Sequence, residues 1–144
     1  MVLDTSVLVY AVGAEHPQAS PCRRLLKAVG DRELEATTTV EVVQEFVHVR
    51  ARRWERGDAA QLGRRFAQLL SPLLEVRMRD LEDGLLLFER HPELGSFDCV
   101  LAATALGRQA RFVSADKAFS TVAGLDHIDP ATPAFQALIG DLQG

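Results

Sequence analysis

Four acidic residues of this chain stand where they could meet. Asp4 ends a short apolar run, Val2–Leu3, and the polar pair Thr5–Ser6 follows it at once. A strand that stops on a carboxylate and turns directly into a helix leaves that carboxylate at the carboxyl edge of a sheet, where open α/β folds bind their ligands. Asp116 lies just after a second strand-like run, Arg111 to Ser114, and shares that edge. Glu45 is early in the helix that follows another strand, and that helix starts from the same edge. Asp98 is in the first turn of the helix that feeds the Arg111 to Ser114 strand. Such a helix runs antiparallel to the strand it feeds, so its N-terminus also reaches the carboxyl edge.

Like charges brought that close repel, and burial raises their pKa values unless a cation is present. An all-carboxylate set with no His or Cys cluster beside it favours Mg²⁺ or Mn²⁺ over Zn²⁺. Mg²⁺ takes few protein ligands and leaves positions for a phosphate oxygen and a nucleophilic water, so the chemistry that suits this set is metal-assisted phosphodiester hydrolysis. Plainer uses exist for each acid. Asp4 and Asp116 can cap the helical turns that follow them, and Asp98 can simply be a favourable charge at a helix N-terminus. Glu45 is flanked by Phe46 and Val47, and an unpaired Glu between buried neighbours would be costly. Glu41, one turn earlier, shares its face and reads as a solvated charge.

The elements that must position these acids follow from hydrophobic period and from Gly, Pro and capping residues. Val2 to Asp4 reads as a strand and Ser6 to Val12 as a short helix ended by Gly13. A helix opens near His16–Pro17 and runs to Gly30. Leu34 to Thr37 reads as a strand, followed by a helix capped by Thr38 or Thr39 that is expected to reach Trp54. Asp58 is expected to cap a helix that ends at Ser71–Pro72. The alternation of Leu74, Val76 and Met78 with charged residues predicts a strand, and Leu81 to Arg90 a helix. Ser96 can cap a helix from Phe97 to Gly107; the Arg111 to Ser114 strand, a helical turn at Asp116 to Phe119, a last strand at Leu125 to Ile128 and a helix at Ala134 to Ile139 complete the chain. Strands alternating with helices indicate an α/β fold with a mostly parallel sheet covered on both faces.

At 144 residues the sequence fits a single domain, 1–144. Hydrophobic residues make up 47% and charged residues 25% of it, a globular composition rather than a disordered one. No apolar run approaches a membrane span and no cleavable leader is evident, so a cytoplasmic location is the expectation. Cys22 and Cys99 have no metal-type spacing and read as core thiols. The net charge of −4 hides an uneven distribution. Arg50, Arg52, Arg53, Arg56, Arg64 and Arg65 crowd one segment against only Glu55 and Asp58, and a local arginine patch can grip phosphates on an acidic protein.

Four motifs in order, Asp4-Thr5-Ser6 after a strand, Gln44-Glu45-Phe46 in a helix, Ser96-Phe97-Asp98 opening Ala102-Ala103-Thr104-Ala105, and Ser114-Ala115-Asp116-Lys117-Ala118-Phe119, together resemble the PIN domain. Within it the chain looks like a VapC-type toxin of a toxin–antitoxin pair, over about residues 1 to 130. The resemblance implies a PIN-like three-layer α/β/α sandwich with a central, mostly parallel sheet. It also implies a Mg²⁺- or Mn²⁺-dependent endoribonuclease, a homodimer and a cognate antitoxin. By motif position it assigns the acidic roles, catalytic and metal-holding, to Asp4, Glu45, Asp98 and Asp116. Ser6 and Thr5 take the supporting hydroxyl position of the first motif. Ser114 stands where the family often has Thr and keeps a hydroxyl able to orient Asp116 or a water.

On that reading Arg50, Arg52 and Arg53 could hold flanking RNA phosphates, and Trp54 could stack on an unpaired base. His48, one turn beyond Glu45, reads as structural or surface. A phosphatase of the haloacid dehalogenase type also starts from an Asp after the first strand, but it needs a second acid where this chain has Ser6. A non-catalytic RNA- or protein-binding module on the same fold is the other alternative, and loss of a rim acid would be its mark; none is lost here.

Overall fold

Val2–Leu3 forms β1, and both residues are fully buried, as an inner strand of a parallel sheet requires. In the computed structural model, which describes the backbone of residues 1–142 and the side chains of 1–140, β1 lies between two parallel neighbours. On one side it pairs with β2 (Phe112–Val113) in the register Val2↔Phe112 and Leu3↔Val113, and β2 pairs in turn with β3 (His127–Ile128). On the other side Val2 bridges Thr37, and Thr39 bridges Leu74, again in parallel. Every strand therefore points the same way, and the residues after β1 and β2 leave from one edge.

The helices are α1 (Thr5–Val12), α2 (Ala19–Gly30), α3 (Val40–Arg50), α4 (Arg56–Leu69), α5 (Met78–Arg90), α6 (Ser96–Gly107) and α7 (Pro133–Leu142), with a short 3-10 helix at Lys117–Thr121. They pack in pairs, α1 with α2 and α3, α3 with α4, and α5 with α6. Phe46 on α3 meets Phe66 on α4 edge to face at 4.9 Å between ring centres. Phe119 in the 3-10 helix meets Phe112 of β2 at 4.6 Å, which anchors the turn that Asp116 begins. Such aromatic pairs contribute about 1 kcal/mol beyond their buried area. On α5, Gly84 lets the helix press against α6: a Cβ there would lie 2.6 Å from the Val100 Cα. Cys22 and Cys99 are buried free thiols, as expected, and burial pushes Cys22 up to about 12, which leaves it unreactive.

The structure departs from the sequence reading where a local bond outcompetes the pattern. The expected strand at Leu34 to Thr37 pairs only at Thr37, because Arg32 takes a left-handed φ of 63° and the amides of Glu33 and Leu34 both turn back to the Ala28 carbonyl. The strand expected from Leu74 to Met78 pairs only at Leu74. The Asp80 carboxylate accepts the Arg77 amide at 2.9 Å and draws Met78 into α5. The Glu45 helix stops at Arg50 rather than Trp54, since the amides of Arg52 and Arg53 tighten onto the carbonyls three residues back, Val49 and Arg50, in place of those four back. The next helix starts at Arg56, with Asp58 in its first turn rather than as its cap, and Gly95 rather than Ser96 caps α6. The last helix is longer than expected at both ends, and Phe135 and Ile139 are its buried residues, with α7 set against α2.

Candidate active site

Asp4 is the cap of α1 and is only 5% exposed. Its Oδ2 takes hydrogen bonds from Ser6 Oγ at 2.7 Å, from the Ser6 amide at 3.3 Å and from Ser114 Oγ at 2.7 Å. Each serine has one hydroxyl proton, and both are spent on Asp4. Their oxygens are then acceptors for the turn after β2: Ser6 Oγ takes the Ala115 amide at 3.1 Å and Ser114 Oγ the Asp116 amide at 3.0 Å. The capping role and the site role of Asp4 thus coexist, with Oδ2 committed to the protein and Oδ1 turned away from these donors. Ser114 orients Asp4 by its proton and Asp116 by its acceptor, a wider task than its motif position implied.

Glu45 is half-buried on α3, and Thr5 Oγ1 donates to its Oε2. Thr5 therefore belongs to the site through Glu45, whereas Ser6 belongs to it through Asp4. Glu41 is exposed, as read from sequence. His48 is exposed on the same helix face, and its Nε2 accepts from Arg52 Nη2 at 3.1 Å, which places its proton on Nδ1.

Asp98 lies in the first turn of α6 and Asp116 precedes the 3-10 helix, where its Oδ1 accepts the Ala118 amide at 2.9 Å. The Asp98 carboxyl is raised to about 6, by burial first and then by the charges of Asp4, Glu45 and Asp116, against a lowering bond from the Gly95 backbone. The structure brings all four acids into one electrostatic neighbourhood.

Among the described residues no group of three or more His, Cys, Asp or Glu side chains forms a ready-made cage for an ion. A divalent cation with a preference for water and oxygen does not need one, since Mg²⁺ is held by one or two carboxylates and its own waters. The donor chemistry fits such an ion: every candidate ligand is a carboxylate, and the repulsion that raises Asp98 is what a cation relieves.

The arginine segment divides. Arg50, its side chain 12% exposed, donates from Nε to Asp58 at 2.9 Å and from Nη1 to the Val12 carbonyl at 3.1 Å, and its guanidinium lies 4.2 Å from the centre of the Trp54 ring. It ties α3 to α1 and α4, and Trp54 is occupied as its stacking partner. Arg52 and Arg53 are exposed. His127 was not singled out by the sequence. Its Nε2 donates to the Ser114 carbonyl at 2.9 Å, so β3 helps to hold the turn after β2. No periodicity or motif signals that bond, which depends on the β2–β3 register.

Residues 1–125 match the PIN domain family. Ribonuclease VapC7 of Mycobacterium tuberculosis (strain ATCC 25618 / H37Rv) is 49% identical over 146 residues, covering 98% of this chain and 99% of that protein. Ribonuclease VapC23 of Mycobacterium tuberculosis (strain CDC 1551 / Oshkosh) is 30% identical over 119 residues, covering 81% of this chain and 90% of its own length. Two solved structures share the fold. VapBC2 from Rickettsia felis, bound to a DNA fragment from its promoter, superposes with a TM-score of 0.69 at 14% identity, over 88% of this chain and 96% of its own. A toxin–antitoxin complex from Klebsiella pneumoniae does so with a TM-score of 0.63 at 15% identity, over 90% and 96%. With its parallel sheet, its acids at the carboxyl edge and nearly full-length relatives, the chain belongs to the PIN-domain family, in its VapC branch.

Proposed function

We propose that this protein is a divalent-metal-dependent endoribonuclease that acts as the toxin of a toxin–antitoxin pair. The observation that carries the reading is the coupling of Asp98 to Asp4, Glu45 and Asp116, four acids from four segments of the chain, in a chain 49% identical to a ribonuclease over nearly its whole length. Asp4 and Asp98 would hold Mg²⁺ or Mn²⁺, with Glu45 and Asp116 directly or through water. When bound, the ion supplies Lewis acidity to the scissile phosphate and lowers the pKa of the attacking water.

The chain's own residues do the rest. Ser6 and Ser114 keep Asp4 aimed, since both hydroxyls donate to its Oδ2. Thr5 orients Glu45 through its bond to Oε2. The exposed Arg52 and Arg53 bind phosphates that flank the cut, while Arg50 supports the helix that carries them. The reading also gives the chain, as a single domain, an antitoxin partner and a second copy in a homodimer. It is supported by a protein-binding kind of surface, the exposed apolar side chains Met78, Leu81, Leu85 and Phe88 along α5.

The test is cleavage of a mixed cellular RNA pool by the purified protein with Mg²⁺, Mn²⁺ or EDTA, beside Asp4→Asn and Asp98→Asn. Discrete cuts that need metal and vanish in both variants are expected. RNA left intact by the folded wild type with either metal overturns the reading.

A further inference from the structure

Three of the four acids are tied to one another by hydrogen bonds. The β1–β2 pairing and the two serines join Asp4 to Asp116, and Thr5 joins Glu45 to α1. Asp98 is different. It stands at the head of α6, behind the loop of residues 91–95, and no strand carries that loop. Among the described residues, apart from the His91 amide that caps α5 on the Leu87 carbonyl, the hydrogen bonds that leave the loop and the α6 head for other parts of the protein reach one residue, Thr121. Thr121 ends the 3-10 helix that Asp116 begins.

The contact is a closed triangle. Thr121 Oγ1 hydrogen-bonds Glu93 Oε1, His91 Nδ1 lies 3.2 Å from the same oxygen, and Thr121 Oγ1 and His91 Nδ1 are 3.3 Å apart. The Thr121 hydroxyl has one proton and two acceptors in reach, the Glu93 carboxylate and the Ala118 carbonyl. The ionised oxygen is the stronger acceptor, so the proton goes to Glu93 and the His91 Nδ1–H closes the third side. The Thr121 bond is also the largest cause holding the Glu93 carboxyl below the usual carboxylate range.

The triangle spans the two segments whose acids the sheet does not join. Leu94, 2% exposed, anchors the loop to the core, and the close approach of α5 at Gly84 and Val100 seats α6 from that side. Neither contact ties the α6 head to the Asp116 segment, which the hydrogen bond to Thr121 does.

We propose that Glu93, through Thr121 and braced by His91, is a positioning residue: it clasps the head of α6 to the turn after Asp116, so that Asp98 and Asp116 are held ready for one divalent ion. The proposal rests on the nuclease reading of the four acids. Glu93 and Thr121 are exposed at the surface, so their loss should leave the fold intact.

The experiment measures Mn²⁺ affinity by calorimetry on the full chain without RNA, for wild type, Glu93→Ala, Thr121→Val, the double variant, Thr121→Ser and Asp98→Asn, with the melting temperature in EDTA alongside. Glu93→Ala and Thr121→Val are each expected to weaken Mn²⁺ binding about tenfold, the size of effect that support of a ligand carries. The double variant should be no weaker than either single one, and Thr121→Ser should bind as wild type. In RNA cleavage, kcat should fall with KM unchanged. Wild-type Mn²⁺ affinity in both single variants, with binding lost in Asp98→Asn, overturns the clasp and leaves the metal site standing. Unchanged binding in Asp98→Asn overturns the site, and the clasp with it.

Discussion

Ser114 Oγ donates to Asp4 Oδ2 at 2.7 Å across 110 positions of sequence. The bond follows from the sheet register: Leu3 pairs with Val113, so the residue after each emerges beside the other at the strand ends. Ser114 is fully buried, and its removal leaves both Asp4 and the Asp116 amide short of a partner.

Ser114→Ala should therefore lower RNA cleavage about 10–100-fold, the range found when a ligand's supporting hydrogen bond is lost, and lower stability by about 1 kcal/mol. Ser6→Ala should act in the same direction. Asp4 keeps one hydroxyl donor in each single variant and none in the double, which should be the most impaired of the three. Single-turnover rates on one defined RNA, with urea unfolding in parallel, check this. Unaltered rates in the double variant would remove both serines from the site.

Asp98 gives a pH prediction of definite sign. Its carboxyl is raised from 3.8 to about 6 in the folded chain, so the folded state holds the proton more tightly than the unfolded state does. Ionised Asp98 thus opposes folding: the penalty is absent below about 3.8 and complete above about 6. In EDTA, Asp98→Asn should melt higher than wild type at pH 7 by a few degrees, and the gap should close as the pH is lowered through that window. The same substitution should abolish cleavage. Thermal melts at several pH values decide it, and a variant less stable than wild type at pH 7 would contradict it.

Arg50 and Arg53 stand three positions apart with opposite expected effects. Arg50→Ala breaks a partly buried ion pair, a bond to the Val12 carbonyl and the contact with Trp54, and should lower stability by about 1–3 kcal/mol. Arg53→Ala should leave the melting temperature unchanged and weaken RNA binding alike for all sequences. It should also flatten the dependence of log affinity on log salt by about 0.7, as expected for one lost contact to single-stranded phosphate. Salt titrations of RNA binding by the catalytically silenced Asp98→Asn protein, with and without Arg53→Ala, measure it. An unchanged slope would take Arg53 off the RNA path.

Two helical glycines should respond oppositely to alanine. A Cβ on Gly84 would lie 2.6 Å from the Val100 Cα and 2.9 Å from its amide nitrogen, backbone atoms that cannot step aside without parting α5 from α6. Gly84→Ala should cost about 1–3 kcal/mol despite the better helix propensity of alanine. A Cβ on Gly57, in the first turn of α4, meets nothing within 4 Å, and Gly57→Ala should gain about 0.5 kcal/mol. Denaturant midpoints of the two variants give the comparison directly.

The acidic residues were legible in the sequence because each is marked by a local signal. Asp4 and Asp116 follow apolar runs, Asp98 opens a helix, and Glu45 sits on a helical apolar stripe; the order of these motifs named the family. Those signals work at separations of a few residues, where the strand period of two and the helix period of 3.6 operate. The same rules misplaced what competes locally with a pattern. Leu74, Val76 and Met78 alternate like a strand, yet the Asp80 carboxylate takes the Arg77 amide and starts a helix instead.

What the sequence by itself determined is which chemistry the chain carries and the parallel α/β frame that delivers it to one edge. Only the tertiary structure decided which partner each polar group takes. The arginine segment announced charge, but not that Arg50 is committed to Asp58 and Val12 while Arg52 and Arg53 face outward. The serines of two distant motifs announced hydroxyls, but not that both spend their protons on Asp4. The tie between Glu93 and Thr121 had no sequence signal at all. The reason is physical: a hydrogen bond needs its atoms within about 3 Å in a fixed direction, and across a hundred residues that distance is set by strand register and helix packing, which no local pattern encodes.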